Sequence, residues 1–103
     1  MLILPIKKRW FDMIMSGEKK EEYREIKHYW TKRFFKFFDE NIELMPRSMH
    51  LGKGQIILKN GYKKDSSMFK CSVELRLGYG EEKWGAEPDK LYYVLKILSV
   101  EDL

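Results

Sequence analysis

A change of period at Gly17 constrains this chain more than any other feature. Before it, Trp10 pairs with Ile14 and Phe11 with Met15 at helical spacing, so Lys8 to Ser16 reads as a short amphipathic helix with its aromatics in the core. After it, from Lys20 to Ile26, Glu22, Arg24 and Ile26 alternate by twos with Glu21, Tyr23 and Glu25, the period of a strand. Glycine at the junction suits the position just past a helix end, where the backbone turns left-handed. Glu22 and Arg24 then leave one strand face, and Lys19 stands at the corner within reach of either. A carboxylate and a guanidinium so placed can hold a common ligand or each other. The competing reading is a solvated edge strand guarded by charge.

The spacing Gly-x-Lys-x-x-Glu-x-Arg, filled by Gly17, Lys19, Glu22 and Arg24, resembles the signature of the ASCH family, the ASC-1 homology domains of the PUA-like superfold. The resemblance extends over the whole chain, through the preceding strand and helix and the strand-rich second half. It implies an α+β fold, a small PUA-like β-barrel of about five strands with two or three short helices, and a role connected with RNA. Some bacterial members deacylate N4-acetylcytidine with a Lys, a Thr and a Glu. Carried over, the Lys is Lys19, but the Thr position, three residues later, holds Glu22. A carboxylate does not replace a hydroxyl nucleophile without a change of mechanism. The third group would come from Glu81, Glu82 or Glu87.

At 103 residues the chain is expected to form one domain, residues 1–103. Its 44% apolar and 15% aromatic content is that of a folded protein. No apolar run approaches the ~20 residues of a membrane helix, and Met1 to Pro5 is too short for a signal peptide core, so a cytoplasmic protein without membrane contact is expected. Cys71, the single cysteine, sits in an apolar strand pattern and reads as a buried, inert thiol. The net charge of +4 and a pI near 9.1 lean toward polyanionic partners.

Leu2 to Ile6 reads as a buried strand that Pro5 confines to an edge or a strand end. Trp30, Phe34, Phe37 and Phe38 give Lys27 to Asn41 a helical face, with Lys32, Arg33 and Lys36 opposite; a core helix closing one end of a barrel is favoured over a basic, aromatic helix lying against nucleic acid. Glu43 to Lys53, bracketed by Pro46, Gly52 and Gly54, reads as a connection that exposes Arg47, His50 and Lys53. Gln55 to Lys59 and Met68 to Leu77 read as hairpin strands joined through Asn60-Gly61 and a polar tip. Gly78 to Pro88 is a loop carrying Tyr79 and Trp84, and Leu91 to Val100 is a closing, central strand with apolar groups on both faces.

The chain shows no phosphate-binding glycine loop and no metal-ligand spacing, and no cofactor is expected. The favoured reading is an RNA- or nucleotide-binding domain. Its ligand-binding candidates are Lys7, Lys19, Glu22, Tyr23, Arg24, Tyr79 and Trp84, the aromatics as stacking surfaces. The alternative is a small hydrolase acting on a modified nucleoside or as a ribonuclease, with Lys19 and Glu22 as the catalytic pair.

Overall fold

The computed structural model describes residues 2–38 and 50–103. In chain order these form β1 (Ile3–Ile6), α1 (Lys8–Met15), β2 (Glu21–Glu25), α2 (His28–Phe38), β3 (His50–Asn60), β4 (Met68–Tyr79), one turn of 3-10 helix (Glu82–Trp84) and β5 (Leu91–Asp102). The strands make a single curled sheet, a half-barrel of order β1-β3-β4-β5-β2. The result is a small α+β fold. β3, β4 and β5 are an antiparallel meander, β2 pairs antiparallel with β5, and β1 pairs parallel with β3 through Ile3↔Ile57 to Ile6↔Asn60. The two strands from the start of the chain are therefore the two edges of the sheet.

Alternation on β4 decides where the core lies. Phe69, Cys71, Val73 and Leu75 are buried, and residues between them are half-exposed. They meet Leu4 and Ile6 of β1, Ile56 and Leu58 of β3, Phe11 and Ile14 of α1, and Phe34 and Phe38 of α2. On β5, Tyr93 and Leu95 enter this core, and Tyr92 and Val94 enter a smaller cluster with Tyr23 and Ala86. Apolar residues on both faces of this strand thus reflect two separate clusters. β5 also lies between β4 and β2, although β2 accompanies it only from Tyr92 to Lys96.

The helix ends behave as the change of period requires. Gly17 has φ +84°, Ser16 N–H donates to Asp12 O, and Lys19 N–H donates to Met13 O. Of the α1 pairs, Phe11 and Ile14 reach the core, whereas Trp10 is half-buried and Met15 is exposed. α2 places Phe34 and Phe38 in the core. The Phe34 ring lies 5.3 Å from Tyr93 and 5.5 Å from Trp30.

Gly52, Lys53 and Gly54 are not part of a connection, because β3 starts at His50 and runs through them with a bulge between His50 and Gly52. The glycine at 54 answers to packing, since a Cβ there would stand 3.2 Å from ring carbons of both Phe37 and Phe38. α2 approaches the sheet at that point. Sequence patterning mistook this close approach for a turn. Arg47 and the rest of the expected connection before His50 lie outside the described residues, as does the expected end of α2 at Asn41.

Phe34→Ala should cost about 3–5 kcal/mol in urea unfolding, because a fully buried ring leaves a cavity. Phe35→Ala, at a ring 43% exposed, should cost under about 1 kcal/mol. Burial also pushes the Cys71 thiol up to about 12. An aromatic disulfide reagent should therefore modify it only at the rate at which the domain opens, and burst labelling of folded protein would contradict this packing.

Candidate functional site

The edges of the half-barrel, β1 and β2, are bridged by a side chain. On β1 the carbonyls of Leu2 and Ile6 accept from Ile57 and Gly61 N–H at 2.9 and 2.8 Å, so Pro5 between them turns its carbonyl away from β3. Proline loses nothing there, having no N–H to leave unpaired. Arg24 of β2 meets that carbonyl: its Nη2 donates to Pro5 O at 3.1 Å, and its Nη1 donates to Tyr23 O at 2.7 Å and Glu22 Oε2 at 3.0 Å. Five N–H donors in a planar fork suit this task, and three are used.

Glu22 is shared. Its Oε2 takes Arg24 and its Oε1 takes the Lys19 ammonium at 3.1 Å. The Lys19 side chain is completely buried. Its Nζ donates to Trp84 O at 2.8 Å and lies 4.9 Å from the ring centres of both Trp10 and Tyr23. Burial lowers the Lys19 pKa from its ordinary value, and the adjacent Glu22 carboxylate opposes that shift. The chain of contacts runs from the Trp84 carbonyl through Lys19, Glu22 and Arg24 to Pro5. It ties the 3-10 turn and β2 to β1. Among the described residues no buried side-chain polar atom lacks a partner.

Above Glu22 and Arg24 opens a cavity of about 550 Å³. β1 and Lys7 form one side, Trp84 and Gly85 another, and Trp10, Tyr23, Tyr29, Trp30 and Tyr62 contribute rings. Arg24 sits 5.2 Å from the Trp30 ring centre and Arg33 sits 4.4 Å from that of Tyr29. Lys7 and Arg33 line the cavity with no carboxylate partner among the described residues, and Glu22 is the single acidic residue of the lining. Gly85, at φ +101°, is required because a Cβ would come within 3.0 Å of Trp10. Aromatic walls, rim cations without a carboxylate partner among the described residues and an ion-paired floor suit a flat ligand carrying negative charge.

Of the residues singled out in the sequence, Lys7, Glu22, Tyr23, Arg24 and Trp84 line this cavity. Lys19 does not line it; its amine is one layer behind, supporting Glu22. Gly17 is exposed at the outer corner, and Tyr79, 63% exposed at the end of β4, stands apart from the cavity. Glu81, Glu82 and Glu87 are exposed and do not line it either. The loop is held through its backbone, with Glu81 N–H donating to Tyr23 Oη and Glu87 N–H to Tyr92 Oη, both at 2.9 Å.

Sequence reasoning missed Trp10, Tyr29, Trp30, Arg33 and Tyr62. Trp10 and Trp30 do pack against the core, as helical spacing predicts, and they line the cavity in addition. A finer signal was present: each is the third residue of the helix that follows an edge strand. Both helices therefore deliver an indole to the same seam. No family model, curated protein or solved structure matches this chain in comparison with known proteins.

Removing the carboxylate in Glu22→Ala leaves Lys19 and Arg24 without their shared partner and should cost about 3–5 kcal/mol. A pH effect follows from Lys19. Its folded-state pKa is below the ordinary 10.5, so between those values the unfolded chain holds the extra proton and stability rises with pH. Tyr23 works oppositely. Burial raises its pKa above the ordinary 10.0, so above that pH the unfolded phenol ionises first and stability falls. In urea titrations across alkaline pH, wild type should gain on Lys19→Met up to Lys19's ordinary value; a pH-independent difference would contradict the assigned shift.

Proposed function

We propose that this protein is a PUA-like domain of the ASCH kind that binds RNA or a nucleotide in the cavity between its two edge strands. The observation that carries this reading is the coincidence of the Lys19, Glu22 and Arg24 cluster with an aromatic cavity whose rim cations have no carboxylate partner among the described residues. A base has two π-faces and a polar edge, and rings on several sides with an ionic pair at the floor suit both. Lys7 and Arg33 supply sequence-independent attraction for phosphate. Lys19 acts from behind, holding the Glu22 carboxylate and the Trp84 wall in place.

The hydrolase reading draws support from the lowered pKa of Lys19 beside Glu22. Against it stand the enclosure of the Lys19 amine and the carboxylate at the position where the deacylases carry a hydroxyl. Wild-type turnover of N4-acetylcytidine, followed by product chromatography, would favour that reading over binding alone. Under the binding reading, wild type is inactive on that substrate.

Tryptophan fluorescence titration with short RNA and with mononucleotides tests binding directly. Trp10→Ala should lose about 1–3 kcal/mol of affinity, the worth of one stacking ring. Lys7→Ala and Arg33→Ala should each weaken binding several-fold and flatten its salt dependence, whereas Lys63→Ala, at an exposed residue that does not line the cavity, should change little. Equal effects of all four substitutions would show diffuse attraction without a site.

A further inference from the structure

The Glu22–Arg24 pair in the cavity lining keeps hydrogen-bonding capacity that the protein itself does not use. Glu22 and Arg24, two residues apart on one strand face, both line the cavity. Their touching atoms, Oε2 and Nη1, are 3.0 Å apart. Glu22 uses one lone pair of each oxygen, toward Lys19 and Arg24, and a carboxylate has about four such sites. Arg24 has three N–H groups engaged of five. Acceptor capacity on both Glu22 oxygens and two N–H donors of Arg24, on Nε and Nη2, therefore remain on residues that line the cavity.

The four common bases differ in how they meet these groups. Guanine presents an amine, a ring N–H and then a carbonyl oxygen, two adjacent donors followed by an acceptor. Adenine and cytosine offer an amine next to a bare ring nitrogen, whose lone pair would face the second carboxylate oxygen. Uracil puts a carbonyl oxygen on each side of its only N–H. From this complementarity, and resting on the base-binding reading above, we infer that the cavity takes a guanine nucleotide, with the base edge on Glu22 and Arg24 and the phosphate toward Lys7 and Arg33. Selectivity of this kind is steep, since a mismatched base leaves a buried polar group facing its like.

The inference is tested by altering the ligand, which leaves the fold untouched. Tryptophan fluorescence titrations at one salt concentration would compare GMP, AMP, CMP and UMP with IMP, which lacks the amine, and with N1-methylguanosine monophosphate, which lacks the ring donor. GMP should bind at least about tenfold tighter than IMP and than each of the others, because each lost contact is to a charged group. The N1-methyl nucleotide should bind worst of the purines. Guanosine should bind less tightly than GMP, and Arg33→Ala should narrow that gap. Binding of AMP, CMP or UMP as tightly as GMP, or indifference to the N1-methyl group, would overturn the guanine assignment and leave base binding standing. Absence of binding by every nucleotide and by short RNA would overturn both.

Discussion

The Glu22 carboxylate is the point on which the rest of this molecule depends. It is buried between two cations that come from different directions, Lys19 from the turn after α1 and Arg24 from the next residue but one on its own strand. Three charges in a dry environment are tolerable only because each is hydrogen-bonded to the others or to backbone carbonyls. Those carbonyls belong to Trp84 and Pro5, on opposite sides of the site. Electrostatic necessity thus becomes architecture: the groups that satisfy the buried charges also join the open edges of the half-barrel.

Open sheet edges are usually a hazard, guarded by charge or by proline. Here both guards are present and both have become parts of a site. Pro5 presents only an acceptor, and Arg24 spans to it. No backbone ladder joins β1 to β2, and indoles from the first turns of both helices line the cavity between them. A cavity arises where the sheet fails to close.

The period change at Gly17, the hairpin about Asn60-Gly61 and the alternating β4 were legible because one local pattern dictated each. Arg24 and Glu22 sharing a face was legible for the same reason. The direction of the Lys19 amine was not, since its partner carbonyl on Trp84 is 65 residues away. Gly54 misled because glycine marks turns and close approaches alike, and only the position of Phe37 and Phe38 separates the two. Trp10 and Trp30 pack against the core, as their spacing requires, and line the cavity as well, because spacing reveals which residues share a face and says nothing of what else that face meets. Tyr79 showed the converse: an aromatic in a glycine-rich loop region attracted notice, yet it stands outside the cavity.

The parallel pairing of β1 with β3 carries a consequence for assembly. The meander of β3, β4 and β5 connects neighbours along the chain, so its loops close at low entropic cost. β1 must find β3 more than fifty residues later, and β2 must find β5 at a distance greater still. Neither edge strand has a partner until the meander exists to receive it. The cavity, framed by both edges, is therefore expected to form after the meander, and its ion cluster then joins segments as far apart as Pro5 and Trp84.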